Sequence, residues 1–278
     1  MADGQMTDIK STYDRDGFYF PMRAMSAQEA AGYRAKLEAH EAEHGGPLQS
    51  AMRHEMHYLF TWADELIRHP KILDAVEAVI GPNILCWATN FFIKEPNTND
   101  FVSWHQDATY WGLEPADQII TAWLALSDAP VESGAMKFVA GSHEWGQANH
   151  QDTFHEDNLL SRGQEIAVDV DEEDATNVPL KAGEFSLHHV LLAHGSSPNT
   201  TNDRRIGLAI RYIPTTVRQT KIRDAAVLVR GVDEYNHFDG LPAPKADLDE
   251  QAIATHADAT DRMRRAVYSE TDVTEFRP

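Results

Sequence analysis

Ile84-Leu85-Cys86-Trp87-Ala88-Thr89-Asn90-Phe91-Phe92-Ile93-Lys94 marks the point at which the texture of the chain changes. Downstream of it, short apolar or alternating runs recur at 119–127 (IITAWLALS), 136–141 (MKFVAG), 183–189 (GEFSLHH) and 205–213 (RIGLAIRYI), parted by clusters of Gly, Pro, Asn and Asp. Short runs rich in β-branched and aromatic residues and bounded by turn formers read as strands. Many such strands without alternating helices predict a mainly β protein, either an all-β barrel or a double-sheet jelly roll. The pattern by itself does not choose between them.

Upstream the signals are helical. Ser26 and Glu29 have capping-box spacing and predict a helix to about His44, ended by Gly45-Gly46 and carrying a modest stripe of Ala30, Tyr33 and Leu37. A second helix is expected from Pro70, with Ile72, Leu73, Val76, Val79 and Ile80 on its buried side and Gly81-Pro82 as its stop. Both read as a buttress for the strands. Past Pro242 the chain turns polar and alanine-rich, a C-terminal extension at about 243–278 with a helix expected near 251–267, either packed or frayed.

At 278 residues and 42% hydrophobic, the chain can bury a substantial core. No repeat and no Gly/Ser- or Pro-rich linker divides it, so one domain over 1–278 is expected. Twenty-four basic against forty-four acidic side chains give a formal charge of −20, which argues against nucleic acid and anionic membranes as partners. Cys86 is the single cysteine and lies in an apolar run, so no intrachain disulfide forms and a buried small hydrophobe is its default role. The segment Met1–Lys10 is polar, and no run is long enough to span a bilayer. A soluble, cytoplasmic protein is expected.

Chemistry enters at Ser103-Trp104-His105-Gln106-Asp107. A His-x-Asp step on a strand turns both side chains to one face, because strand side chains alternate. His194-Gly195-Ser196 offers a second imidazole far downstream. Two imidazoles and one carboxylate with open positions are the ligand set of non-haem Fe(II) oxygenases. Alone, His-x-Asp would more often be a surface turn or a satisfied buried pair. Arg205 adds a permanently charged planar fork suited to gripping a carboxylate.

Through the segments SWHQDATYW, AWLAL, SGAMKFVAGSH, AGEFSLHHVLLAHGSSPN and RRIGLAIRY, the chain resembles the phytanoyl-CoA dioxygenase family of Fe(II)/2-oxoglutarate oxygenases, from about Tyr13 to Pro214. The resemblance implies a double-stranded β-helix, cupin-like core at about 13–214 with flanking helices. It implies iron on His105, Asp107 and His194, and 2-oxoglutarate anchored through its far carboxylate by Arg205, with Trp123 and Ser196 lining that pocket. It implies consumption of dioxygen and hydroxylation of an unactivated carbon, with release of succinate and carbon dioxide. Related halogenases replace the carboxylate ligand by a small residue, so Asp107 argues for hydroxylation. The acidic segment at about 149–178 falls where the family carries an insertion over the mouth, which makes it a candidate lid. Members of the family occur as monomers and homodimers, and their small-molecule substrates include acyl-CoA thioesters, amino acids, compatible solutes, aminophosphonates and natural-product intermediates.

Strand alternation puts Arg205, Gly207, Ala209 and Arg211 on one face and Ile206, Leu208, Ile210 and Tyr212 on the other. If Arg205 faces the interior, Arg211 does too, and it needs an internal carboxylate or an anionic substrate group. Arg204 lies on the other face and competes for the anchor role, because sequence alone does not fix the register; the family's spacing from His194 favours Arg205. Tyr110 and Trp111 beside the metal step, Arg162 on the lid segment and Asn90 are further candidate substrate contacts, which suits a small anionic or zwitterionic molecule such as an amino acid or 2-aminoethylphosphonate. The charge of −20 makes a CoA ester less attractive. His188 and His189 are expected as hydrogen-bonded core residues, and His143 in Gly141-Ser142-His143 as a turn residue. His54-Glu55-Met56-His57 has its histidines at i and i+3, not the i and i+4 of a zinc helix, so no second metal site is expected and His57 is structural or substrate-contacting. Two competing classes remain at this point. A cupin-like isomerase or hydrolase would leave Arg205 without a purpose, and a binding protein that had lost catalysis would not need the triad.

Overall fold

The computed structural model describes residues 3–48, 50–167, 170–269 and 276. Its helices are α1 (Asp3–Asp16), α2 (Ala27–Glu43), α3 (Thr61–Ile67), α4 (Pro70–Ile80) and α5 (Glu250–Val267). Its strands are β1 (Phe18–Arg23), β2 (Ile84–Lys94), β3 (Val102–His105), β4 (Leu113–Glu114), β5 (Ile120–Ala125), β6 (Met136–Val139) and β7 (His150–Asp152) in the first half of the chain. The second half supplies β8 (Gln164–Ile166), β9 (Ala175–Val178), β10 (Glu184–His189), β11 (His194–Ser196), β12 (Arg205–Pro214), β13 (Arg218–Gln219) and β14 (Val227–Arg230). A six-stranded sheet has the order β1-β10-β5-β12-β2-β14 and a four-stranded sheet the order β3-β11-β6-β9. Phe18, Trp123 and Ala209 of the first pack against Met136, Phe138 and Val178 of the second, so the sheets face each other. This is the double-sheet jelly roll, the second of the two expected architectures.

β12 shows why both faces of the large sheet are buried. Its outward set, Ile206, Leu208, Ile210 and Tyr212, packs in one cluster with Leu37, Trp62, Leu66, Ile72 and Val76 from the helices. Each such side chain contributes roughly 1.5–3 kcal/mol on burial. The inward set, Arg205, Gly207, Ala209 and Arg211, is turned toward the small sheet. Gly207 is required there: a Cβ on it would lie 1.8 Å from Cζ2 of Trp123.

The helix signals at Ser26 and Pro70 are realised. Glu29 N donates to Ser26 Oγ at 3.2 Å and Ser26 N to the Glu29 carboxylate at 2.8 Å, closing the capping box. Three features depart from the sequence reading, and one alternative it left open is decided. α1 forms in the polar N-terminal segment because Ile9 and Tyr13, one turn apart, are buried against the core, a stripe too thin to register as periodicity. α3 is a short helix with no capping signal. The segment 149–178 contains regular structure, since β7 pairs with β8 and β9 joins the edge of the small sheet through β6; Val168 and Asp169 lie outside the described residues. The extension past Pro242 is packed: Met263, Val267, Tyr268 and Phe276 join a buried cluster with Trp87 and Leu113. None of the helices among the described residues is long and apolar enough to cross a membrane.

Candidate active site

β3 and β11 pair antiparallel with His105 directly opposite His194, which is how histidines so far apart in sequence meet. The strand reading of His-x-Asp needs one correction. β3 ends at His105 and Asp107 opens a 3-10 turn, but Gln106 between them stays extended (φ −114°, ψ 135°), so the carboxylate remains on the histidine side. Asp107 N donates to Val190 O at 2.9 Å and Thr121 Oγ1 to Asp107 Oδ2 at 3.2 Å. His105, Asp107 and His194 are buried, and their ligand atoms lie within 4.8 Å of one another.

The protons of both imidazoles are placed by the backbone. His105 Nδ1 meets Ser103 O at 2.9 Å and His194 Nδ1 meets Leu192 O at 2.9 Å. A carbonyl only accepts, so each Nδ1 carries the hydrogen and each Nε2 lone pair is free. Those lone pairs converge on Asp107 Oδ1, at 3.5 Å from His105 and 4.0 Å from His194. A divalent metal fits this donor set, and the outer hydrogen bonds are those that orient metal-binding histidines. Burial opposes the charge on Asp107, yet its carboxyl is held well below the ordinary range, with the Arg211 guanidinium as the charge that faces it. Burial and the neighbouring His105 push the His194 imidazole down.

The same chamber continues to Trp123, Ser196 and Arg205. Arg205 is buried, donates Nη1 to Gly134 O at 2.8 Å and stands 5.2 Å from the Trp123 ring, while its Nε has no acceptor among the described residues. It meets no carboxylate among the described residues, and burial pushes its guanidinium down to about 9. Arg204 faces outward as expected, onto Glu41 at 2.7 Å and Glu95 at 2.8 Å. Lys94, opposite Arg205 in the β2–β12 register, is buried and donates Nζ to Ser196 Oγ at 2.6 Å. Burial, then the charge of Arg205, push its ammonium down to about 6.

Arg211 is interior too and finds the internal carboxylate, with Nη2 4.0 Å from Asp107 Oδ1 and Nη1 donating to Asn90. It stands 5.2 Å from the Trp111 ring. Asn90, Trp111 and Arg211 all line the cavity that reaches Asp107. Tyr110 and Arg162 do not. Arg162 stacks 3.7 Å over the Tyr110 ring, and both bind Asp152, the phenol at 2.6 Å, so Arg162 already has a carboxylate and braces the wall instead of meeting an anion. The 149–178 segment reaches the cavity through Asn158 to Ser161 and Gln164, with Ser103 Oγ donating to Gln164 O at 2.6 Å.

Several lining residues left no sequence signal. Arg53 ends a 3-10 turn, and Met263, Val267 and Phe276 come from the extension, with Phe276 stacked 4.2 Å from His54. His188 is more than a core residue: its Nε2 lies 3.7 Å from Asp107 Oδ2, and its Nδ1 is buried without a partner. His189 and His143 are structural, bonded to Asp117 O at 3.0 Å and Asp14 O at 3.3 Å. His57 bonds Thr89 Oγ1 at 3.0 Å and does not line the site cavities.

The phytanoyl-CoA dioxygenase family model matches residues 13–207. The chain belongs to this family. A protein named as a probable alpha-ketoglutarate-dependent hypophosphite dioxygenase, from Stutzerimonas stutzeri, is 32% identical over 161 residues, 56% of this chain and 54% of that one. Human peroxisomal phytanoyl-CoA dioxygenase is 27% identical over 154 residues, 53% of this chain and 46% of that one. The matched stretch thus spans about half the length of these curated relatives. Among solved structures, the non-heme monooxygenase ThoJ superposes with a TM-score of 0.84 at 36% identity, covering 94% of this chain and 98% of that one. CytC3 with Fe(II) and alpha-ketoglutarate gives a TM-score of 0.64 at 22% identity over 89% of this chain and 96% of that one, a likeness of fold.

Proposed function

We propose that this chain is an Fe(II)- and 2-oxoglutarate-dependent dioxygenase that hydroxylates an unactivated carbon of a small anionic or zwitterionic metabolite. The observation that carries this reading is Arg205, a buried guanidinium that meets no carboxylate among the described residues, in one chamber with the His105, Asp107 and His194 donor set. A buried cation without a counter-charge costs several kcal/mol, so a dicarboxylate co-substrate is its natural partner. A cupin-like isomerase or hydrolase would leave that arginine unexplained.

When bound, iron would bring dioxygen, the oxidant, together with 2-oxoglutarate, which would give up two electrons as it loses carbon dioxide to become succinate, one oxygen atom going to succinate and the other to the hydroxylated product. The rest falls to the protein. His105 and His194 present Nε2 because Ser103 and Leu192 carbonyls hold their Nδ1 protons. Asp107 supplies the third donor, and the Arg211 guanidinium beside it favours its ionised form. Arg205 clamps the far carboxylate, with Trp123 packed beside it and Ser196 held by Lys94. Arg211 and Asn90 border the side on which the substrate enters. The relative from Stutzerimonas stutzeri is named for hypophosphite, itself a small anion, which accords with this choice of class.

In this reading 1–278 acts as one oxygenase domain, with 149–178 as an ordered cover over the mouth. The test is a panel of carboxylates, amino acids, phosphonates and aminophosphonates offered with Fe(II), 2-oxoglutarate and oxygen, with succinate measured. Substrate-dependent succinate formation with matching oxygen uptake is expected. Absence of any 2-oxoglutarate turnover by folded, iron-loaded protein, even uncoupled from substrate, would remove the assignment.

A further inference from the structure

The substrate-side cavity carries two guanidiniums, Arg53 and Arg211. Arg53 donates Nε to Leu48 O at 2.8 Å, which fixes the plane of the fork and leaves Nη1 and Nη2 without an acceptor among the described residues. Arg211 has its buried Nε unpaired and sends its other nitrogens toward Asn90 and Asp107. His54 hydrogen-bonds Asn90 and lines the same cavity. Burial, then Arg211 and Arg53, push its imidazole down to about 3, so it contributes no charge.

Few carboxylates line this cavity, although Asp100, Glu95 and Glu41 lie near enough to Arg53 to act on its charge. Asp107 is the one carboxylate among the described residues lining this cavity, and in the proposed function it belongs to the metal. Glu55 and Asp224 line a separate small cavity, which shares Trp87 and Met263 with the first as a common wall. Burial pushes both carboxyls up, toward the neutral acid, and Trp87 Nε1 donates to Asp224 at 2.8 Å. An ammonium in the substrate cavity would therefore find aromatic walls but no free carboxylate among the described residues, whereas an anion would find two forks.

We propose that Arg53 and Arg211 together cradle the anionic group of the substrate, and that this substrate bears no free ammonium: a phosphonate, sulfonate or carboxylate on a neutral aliphatic body. The inference rests on the proposed function and narrows it, setting amino acids and aminophosphonates aside. Arg53 becomes a specificity-determining residue. A charged fork on an anion is the strong form of hydrogen bonding, and its planar geometry suits tetrahedral and planar oxyanions alike.

The test uses two probes of nearly equal shape, propylphosphonate and 2-aminoethylphosphonate, titrated into the anaerobic Fe(II) and 2-oxoglutarate complex of the full chain. Propylphosphonate is expected to bind about tenfold tighter or better. Arg53→Gln should weaken it on the order of tenfold to a hundredfold, the worth of a hydrogen bond to a charged group, and Arg53→Lys should recover part of the loss. Variants are compared only if they keep the visible charge-transfer band of the iron complex, which separates a lost cradle from a misfolded chain. Equal or tighter binding of 2-aminoethylphosphonate, failure of both probes to bind, or an Arg53→Gln protein of unchanged affinity would overturn the proposal. The first of these would point to Glu55 and Asp224 behind a movable Trp87. A wild-type protein with no charge-transfer band would sink the iron and 2-oxoglutarate reading itself.

Discussion

The inner face of β12 carries an arginine at each end, and the two keep different company. Arg205 sits mostly among strand residues, with Trp123 of β5, Ser196 of β11 and Lys94 of β2, rests its Nη1 on the carbonyl of Gly134 in a turn, and meets no carboxylate among the described residues. Arg211 faces Asp107 and Asn90 and opens onto Arg53, Trp111, the 149–178 segment and the C-terminal extension. In the proposed function the first end receives a fixed dicarboxylate. The second shares Asp107 with the metal site and is walled by turns and by the C-terminal extension. Reaction class is thus built into the sheets, while substrate identity is left to the turns and segments around them.

Removing the charge between the two ends should have the largest effect. Asp107→Ala takes away a metal donor and the partner of Arg211 together, so the charge-transfer band and succinate formation should both fall to background. Retained iron and 2-oxoglutarate binding would break the assignment of the ligand set. Exchanging each arginine for methionine sharpens the contrast. Arg205→Met should weaken 2-oxoglutarate binding on the order of a hundredfold while raising the melting temperature of the protein without ligands, because an unpaired buried cation disappears. Arg211→Met should lower that melting temperature instead, since Asp107 loses its compensating charge. Calorimetry with and without 2-oxoglutarate reads all four states, and shifts of the same sign for both variants would erase the distinction.

A smaller effect probes the packing beneath Arg205. Gly207→Val drives its side chain into the Trp123 ring and should destabilise the protein by about 1–3 kcal/mol, read from denaturant midpoints. An unchanged midpoint would mean that Trp123 is not fixed beside the anchor.

The difference between the two ends also explains what could be read from sequence. The period of two in 205–213 ties Arg205 and Arg211 to one face and Arg204 to the other, because alternation is geometric and holds along a whole strand, but which face is interior is favoured only by the family resemblance. His105, Asp107 and His194 were legible through their local context, and the β3–β11 register brings them together. Lys94 was missed because only the pairing of β2 with β12 sets it opposite Arg205. Arg53 and Phe276 were invisible: each reaches the cavity from a short turn or the chain end, where no period exists. Arg162 illustrates the reverse failure. Its charge suggested a substrate contact, but Asp152 on the partner strand of the same hairpin neutralises it.

A pH dependence is expected from Lys94. Its folded value of about 6 lies below the unfolded value of roughly 10.4, so between them the unfolded chain binds the extra proton. Its contribution to stability therefore rises with pH through that window and is lost as pH falls toward 6. Denaturant midpoints at pH 6.5 and 9 should diverge more for the wild type than for Lys94→Met. Parallel behaviour of the two proteins would show that Lys94 keeps its charge in the fold.

The most direct test of the central claim is an anaerobic titration of apoprotein with Fe(II) and then 2-oxoglutarate, following the visible metal-to-ligand charge-transfer band in wild type, His194→Ala and Arg205→Met. The account predicts a saturable band in the wild type, none in His194→Ala, and in Arg205→Met a band that needs far more 2-oxoglutarate to form. A folded, iron-loaded wild type that develops no band, or an Arg205→Met titration that overlays it, would contradict the account.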